Sequence, residues 1–216
     1  MAEQVPIPVR CAHRPTVRGL VVPWVTLNHP HAGHLLGQTR PDRVAACVRD
    51  RLCQTCGHTL GDRVVVICRP QDLADYSAEP GMHPECAAYS TRACPMLNGR
   101  MTHHRKRPVG LGAHVCGDPA CTCRAWGDGP GKAERAGQPA DEYVAVWLAR
   151  KDYRPARGDD GEVRGVALRG VRFLRLRPVE APHRRGPGGE MTQELQRARS
   201  MRDLLTAPLP GEIDHG

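Results

Sequence analysis

Two pairs of metal-binding side chains are the most informative chemistry in this sequence. Cys53 and Cys56 are separated by two residues and followed by Gly57, and His83 and Cys86 follow after 26 intervening residues. Two thiolates at this spacing can chelate one ion, and a glycine after the second permits a positive φ that turns backbone amides toward the sulfurs. A Cys3His set is a closed tetrahedral site for Zn²⁺. The sequence therefore predicts one structural zinc ion held by these four residues.

Two other interpretations of the Cys-x-x-Cys pair are open. A redox pair would open a helix that follows a strand, whereas this pair lies between a predicted helix and a predicted strand. The other interpretation is chance pairing, because the chain contains ten cysteines. The His-x-x-Cys pair downstream favours zinc over both.

A second cluster of soft ligands lies within ten residues and comprises His114, Cys116, Cys121 and Cys123. Residues 117–119 (Gly-Asp-Pro) predict a turn that would fold the two ends of the cluster around a second ion. The spacing differs from that of common knuckles, and a Cys-x-Cys pair chelates one ion less readily. A loop with spare thiols is the alternative. Weaker candidate ligands are Cys11, His13 and Cys94, whereas Cys47 and Cys68 lie in apolar runs and are predicted core residues.

The apolar content is low for a chain of 216 residues. Leu, Val, Ile and Phe account for 40 residues, while Gly and Pro account for 43. Burial of so little aliphatic surface only weakly offsets the entropy lost on ordering the chain. A metal crosslink is the additional source of stability that the cysteines can supply.

The N-terminus carries no apolar run of about 7–15 residues behind a basic start, as a secretory signal would. Residues 19–25 and 64–68, the longest apolar stretches, are far shorter than a bilayer-spanning segment. We therefore expect a soluble cytoplasmic protein. In that compartment thiols stay reduced, and clustered Cys and His more often bind metal than form disulfides.

The formal net charge is +8, and 28 of the 31 basic residues are arginine. A positive surplus favours a nucleic-acid partner, although abundant Arg, Ala, Gly and Pro also reflect a GC-rich genome. Two groups could contact phosphates: a basic loop with Arg105, Lys106 and Arg107, and a strand face with Arg175 and Arg177. A solvated loop and a solvated strand face are the alternatives.

The N-terminal part is predicted to contain few regular elements. Residues 19–26 form an edge strand or extended segment because Pro23 interrupts them. Residues 28–38 hold three histidines among Pro and Gly and predict a loop. A helix begins near Thr39, with Asp42 three residues on in a capping-box arrangement.

The region around the first site predicts a treble clef. After the knuckle, the β-branched run 63–68 predicts a strand, and residues 71–81 form a polar connection. Proline suits the first turn of a helix, which is predicted over residues 84–94. A knuckle, a hairpin and a helix whose first turn carries two ligands make up the treble-clef arrangement, here over about residues 51–97.

Strands return in the C-terminal half at residues 143–150, 163–169 and 171–177, and form a short antiparallel sheet. The first has period-2 order, with one apolar face formed by Val144, Val146 and Leu148. Gly-Asp-Asp-Gly at 158–161 predicts a turn between the first two strands, and residues 127–139 predict a flexible loop.

The predicted fold class is α+β, with a single zinc-stabilised domain over residues 1–180. Residues 181–216 form a linker and tail that include an amphipathic helix at 192–205. The last ten residues are expected to fray.

A family resemblance follows from the motifs within residues 51–101. They read Leu-Cys-Gln-Thr-Cys-Gly at 52–57, Glu-Pro-Gly-Met-His-Pro-Glu-Cys-Ala-Ala-Tyr at 79–89 and Ala-Cys-Pro-Met at 93–96. The chain resembles an uncharacterised family of small actinobacterial and actinophage proteins that share these features. The likeness extends from Cys11-Ala-His13 to Arg177-Pro178. It implies the zinc ligands and a cytoplasmic bacterial or phage setting, and it brings no activity.

The sequence favours a zinc-stabilised accessory module that binds nucleic acid or protein, with no membrane and no small-molecule substrate identified. The alternative is a His-Asn-His-like metal-dependent nuclease, which also uses a treble clef. That enzyme needs a general-base His at the end of the first hairpin strand and another His on the helix. The strand ends at Cys68 without a His, and no His follows His83 on the helix. We therefore predict no catalytic residues.

Overall fold

A computed structural model describes residues 5–106, 118, 121 and 132–181 of the chain. Within these residues the fold is α+β, as predicted, with small antiparallel sheets and few helices. No helix in this part of the chain is long and apolar enough to cross a membrane.

The described residues form three α-helices and ten β-strands. The helices are α1 (Pro41–Arg49), α2 (Pro84–Ala93) and α3 (Lys132–Arg135), and 3₁₀ turns occupy Val9–Cys11, Pro70–Ala74 and Arg150–Asp152. The strands are β1 (Thr16–Val17), β2 (Leu20–Val21), β3 (Thr26–His29), β4 (Gly33–Thr39), β5 (Arg63–Cys68), β6 (Tyr76–Ser77), β7 (Val144–Ala149), β8 (Pro155–Arg157), β9 (Val163–Ala167) and β10 (Arg175–Pro178).

The first sheet has the strand order β10-β7-β5, and all neighbours are antiparallel. The period-2 prediction for β7 is confirmed, because Val144, Val146 and Leu148 are fully buried. The alternate residues Ala145 and Trp147 lie on the opposite face and are half-buried. The buried face contributes to one apolar core that also includes residues of the knuckle and of α2.

The second sheet has the order β6-β9-β8. The 158–161 turn is present, but it joins β9 to β8, a strand that the sequence did not predict. Strands β9 and β6 approach closely at Gly165, where a Cβ atom would overlap the carbonyl oxygen of Ser77. Glycine is therefore required at this position because any side chain would clash with Ser77, and not because the backbone has a positive φ.

The C-terminal strands pair antiparallel, as predicted, but they belong to two sheets and not to one. β7 pairs with β5 of the knuckle region, and β9 pairs with β6. The C-terminal half therefore completes two sheets begun before α2. Apolar alternation predicts that a strand is half-buried, but it carries no information on which strand is its neighbour.

The predicted loop over residues 28–38 is also wrong, because most of it forms the β3–β4 hairpin. Leu27 pairs with Leu35, and Asn28 pairs with His34. Gly33 and Gly37 adopt positive φ values of 67° and 87° at the turn and within β4. Glycine and histidine replace the β-branched residues typical of strands, so the sequence lacked a strand signal here.

The helix near Thr39 exists as α1, but its predicted capping box does not form. Arg40 is the N-cap residue and makes no side-chain cap. Asp42 instead pairs with Arg40 through a 2.6 Å contact to Nη2. Proline at position 41 supplies the preset φ that begins the helix.

Other boundaries shift modestly. The polar connection 71–81 contains the end of a 3₁₀ turn and β6, and the predicted loop 127–139 contains α3. The predicted strand 171–177 is regular only from Arg175 onward. The linker, the helix at 192–205 and the tail lie outside the described residues.

The segment before α2 is held by hydrogen bonds to three other parts of the chain. Met82 exchanges both backbone hydrogen bonds with Val65 of β5, and Gly81 accepts a 3.0 Å bond from the amide of Gln54. The Gly81 amide donates to the hydroxyl of the fully buried Tyr153, 3.0 Å away. β5, the knuckle and the C-terminal half thus jointly fix the point at which α2 begins.

We expect Tyr153→Phe to lower the free energy of unfolding by about 1–3 kcal/mol, because it leaves the buried Gly81 amide without an acceptor. Urea denaturation measures this change. Tyr76→Phe is the matched control, since it removes a tyrosine hydroxyl from a half-buried side chain. Equal stability of the two variants would contradict a role for the Gly81 bond.

Candidate metal centre

The turn after α1 presents Cys53 and Cys56 to the interior. The Cys53 amide donates to the His58 carbonyl, and the Gly57 amide donates to the Cys53 carbonyl, both at 2.8 Å. Gly57 has φ +82°, as the knuckle prediction requires. The closed turn leaves both thiols buried, at 0% and 1% exposure.

The other pair reaches the same place from the start of α2. His83 is the N-cap residue, with extended backbone at φ −64° and ψ 152°, and Pro84 occupies the first turn. Cys86 follows within that turn and is fully buried. Side chains three residues apart lie on the same face of a helix, so one helix end positions both ligands.

The four ligand atoms of Cys53, Cys56, His83 and Cys86 lie within 4.8 Å of one another. Cys56 Sγ is 3.4 Å from His83 Nδ1. Zn–S and Zn–N bonds of about 2.3 and 2.0 Å would separate such a pair of ligands by about 3.5 Å at a tetrahedral ion. The group could therefore hold one metal ion, and within the described residues no other group of His, Cys, Asp or Glu is this compact.

The ring of His83 is oriented for coordination. Its Nε2 lies 3.0 Å from the carbonyl oxygen of Thr59, an acceptor, so this nitrogen carries the proton. Nδ1 then presents its lone pair to the sulfurs. Metal-binding histidines usually donate their second N–H to a carbonyl or carboxylate in this way, which fixes the tautomer.

The four side chains of the group share protons through hydrogen bonds, which shift their pKa values in opposite directions. Hydrogen bonds from Cys56 and Cys86 hold the pKa of Cys53 well below its usual range. Hydrogen bonds with Cys53 and Cys56 raise the pKa of His83 to about 10. A bound cation would displace these protons and stabilise the thiolates directly.

Cys11 is the functional side chain that sequence reasoning ranked too low. It is buried, and its Sγ lies 3.7 Å from Cys86 Sγ, at hydrogen-bonding distance for sulfur. The adjacent residues are paired as well, through a 2.6 Å contact between Arg10 and Glu85. Cys11 does not belong to the compact group of four ligand atoms, and its thiol contacts the ligand Cys86. Its position in a Cys-x-His motif was the only signal of this role.

The N-terminal segment also covers the knuckle. His13 Nε2 lies 3.0 Å from the carbonyl oxygen of Cys56. The ring of Trp24 packs over Gly57, where a Cβ atom would come within 2.6 Å of it. The guanidinium carbon of Arg43 in α1 lies 5.1 Å from the centre of the Trp24 ring, and Arg43 donates a hydrogen bond to the Trp24 carbonyl. These contacts shield the metal-binding turn from solvent.

The second predicted site is only partly within the described residues. His114, Cys116 and Cys123 lie outside them. Cys121 lies within them, and its Sγ is 3.7 Å from Nε2 of His29, a residue that we had assigned to a loop. His29 Nδ1 accepts hydrogen bonds from the amides of His31 and Ala32, so Nε2 carries the proton and donates to the sulfur.

The predictions for Cys47 and Cys68 as core residues are confirmed. Cys47 and Cys68 are buried in the core, where desolvation raises the pKa of Cys47 to about 12 and also raises that of Cys68. Cys94 ends α2 and is half-buried. None of the three belongs to the compact ligand group.

The predicted phosphate contacts fall in two places. Arg105 and Lys106 are exposed in an irregular segment, and Arg107 lies outside the described residues. Arg175 and Arg177 are exposed and share one face of β10, as predicted.

We expect Gly57→Ala to destabilise the fold by about 1–3 kcal/mol from its left-handed backbone alone, with a further loss from the clash with Trp24. Urea denaturation of the zinc-loaded protein measures the effect. Gly61→Ala is the control, because Gly61 lies in the same turn region with open space around it. If Gly57→Ala were as stable as Gly61→Ala, the knuckle geometry would be refuted.

Comparisons with known proteins add no assignment to this geometry. Protein-family models, curated proteins and solved structures give no match to this chain. The resemblance to actinobacterial and actinophage proteins therefore stays a prediction. The geometry supports a buried group of three cysteines and one histidine that could hold a metal ion.

Proposed function

We propose that this chain is a zinc-stabilised binding module that engages nucleic acid or another protein. The observation that carries the proposal is the buried Cys3His group, whose ligand atoms lie within 4.8 Å of one another. Four protein ligands complete a tetrahedral zinc shell and leave no position for a substrate water. The ion therefore has a structural role, and the function belongs to the surface that the ion stabilises.

The frame is proposed to be a treble clef. The order of the knuckle, β5, the return at Met82 and α2 supports this assignment. Val65 and Met82 pair in an antiparallel bridge, which supplies the hairpin contact that the arrangement needs. The hairpin is unusual, because the return between β5 and Met82 contains a 3₁₀ turn and β6, which pairs elsewhere.

The nuclease alternative gains no support from the site. A catalytic metal needs an open coordination position and a nearby general base. No additional His or carboxylate joins the four-ligand group within the described residues. A second zinc ion, with Cys121 among its ligands, stays part of the proposal, as does a reducing cytoplasmic setting that keeps the thiols available.

Protein purified without added zinc is expected to contain at least one equivalent of zinc, and Cys86→Ser is expected to remove the equivalent held at this site. Elemental analysis of the purified protein gives the stoichiometry. Cys68→Ala is the matched control, because it also changes a buried cysteine but lies outside the ligand group. Cys11→Ser should retain this ion. A folded wild-type sample without zinc would overturn the proposal.

Removal of the ion by a strong chelator is expected to lower Tm by about 10 °C or more. Zinc binding contributes directly to folding, and each kcal/mol shifts Tm by about 2–4 °C for a chain of this size. Calorimetry before chelation, after it, and after zinc is restored measures this change. An unchanged Tm, once loss of zinc has been verified, would show that the ion does not stabilise the fold.

A further inference from the structure

One face of the first sheet combines exposed arginines with a half-buried tryptophan. Arg175 of β10 lies directly opposite Trp147 of β7, which in turn pairs with Val65 of β5. Arg177 pairs with Ala145 in the next row. Because side chains alternate along a strand, these residues all project from the face opposite the buried Val146.

Helix α2 covers only the β5 side of this face. A cleft of about 320 Å³ remains between the helix and β10. Its walls include Ala88 and Arg92 from the helix, Trp147 from β7 and Arg177 from β10. The cleft therefore has an apolar floor, a half-buried indole and guanidinium groups from both sides.

The arginines that line this cleft outnumber its carboxylates. Other arginines of the chain pair with carboxylates, including Arg10, Arg40, Arg49, Arg69 and Arg164. Arg177 lines the cleft, and Arg175 lies next to it on the same face of β10. Within the described part of the chain, neither forms an ion pair with a carboxylate, and Arg92 donates to the carbonyl of Ala88. One carboxylate, Glu180, also lines the cleft. The cleft thus has an excess of positive charge beside an aromatic ring.

We propose that this cleft binds single-stranded nucleic acid, with a base stacked on Trp147 and phosphates on Arg175 and Arg177. The assignment deepens the proposed binding function and rests on it. Aromatic side chains within a basic groove bind unpaired bases with little sequence preference. Guanidinium groups suit phosphate oxygens through paired hydrogen bonds. A paired base has both faces covered by its neighbours, so a half-buried indole selects single strands over duplex.

The test uses the full-length zinc-loaded protein and a fluorescein-labelled oligothymidylate of about 15 nucleotides, a length typical of single-strand sites. Anisotropy titrations run from about 50 to 200 mM salt, the range in which phosphate contacts weaken strongly. The double variant Arg175→Ala/Arg177→Ala should bind more weakly, and its plot of log K against log salt should flatten by about 1.4, or about 0.7 per lost phosphate contact. Trp147→Leu, which keeps an apolar side chain, should weaken binding about 5- to 100-fold.

The matched control is Arg154→Ala/Arg169→Ala, which removes the same charge from exposed positions beside the second sheet. It should lower affinity by less than the cleft variant. Zinc content and Tm equal to those of the wild type show that each variant is folded. Binding should quench tryptophan fluorescence in the wild type and lose most of that quenching in Trp147→Phe.

The possible results test three separate claims: the location of the binding site, the class of ligand and the proposed function. Equal affinities of the cleft and control variants would place nucleic acid elsewhere and overturn the cleft assignment, while the binding function would stand. Preference for a duplex competitor, or quenching unchanged in Trp147→Phe, would overturn the stacking assignment.

Absence of oligonucleotide binding by a zinc-loaded wild type at low salt would remove nucleic acid as the ligand, leaving a protein partner for the module. A zinc-free folded protein would instead overturn the proposed function itself.

Discussion

The buried junction of Cys53, Cys56, His83 and Cys86 is the constraint around which the fold is arranged, because it joins two separate parts of the chain. The knuckle follows α1, and the second pair begins α2. A tetrahedral ion would fix their relative position with four bonds, whereas side-chain packing would need many contacts to do the same. With 40 Leu, Val, Ile and Phe residues in 216, such a crosslink would add stability to a chain of low apolar content.

Residues from other segments of the chain contact the four ligand residues and the turn that carries two of them. The carbonyl of Thr59 fixes the tautomer of His83, and the thiol of Cys11 approaches Cys86. Trp24 packs over Gly57, where any side chain would collide with it. These contacts lower the dielectric around the ligands and exclude water, which strengthens the attraction between thiolates and a cation. The N-terminal segment therefore serves the site although it provides none of the four ligands.

Features that depend on neighbouring residues could be predicted from the sequence, whereas contacts between residues far apart in the chain could not. The turn at Cys53–Gly57 and the helix start at Pro84 are decided by residues within one turn, and both predictions agree with the structure. The contact between Cys11 and Cys86 joins residues 75 positions apart, and the pairing of β7 with β5 is equally non-local. Periodicity identifies a buried face but leaves its partner open. The β3–β4 hairpin was missed for another reason, because glycine and histidine occupy a strand held by backbone bonds.

Helix α2 connects the metal centre to the proposed cleft. Its first turn carries Cys86, and the next turns carry Ala88 and Arg92 into the cleft wall. A helix is stiff along its axis, so a change in how its first turn is held moves the residues farther along it. β5 links the same two places, since Val65 bonds to Met82 beside the ligands and also lines the cleft. An ion held by the four ligands would therefore influence the shape of the proposed cleft without contacting whatever binds there.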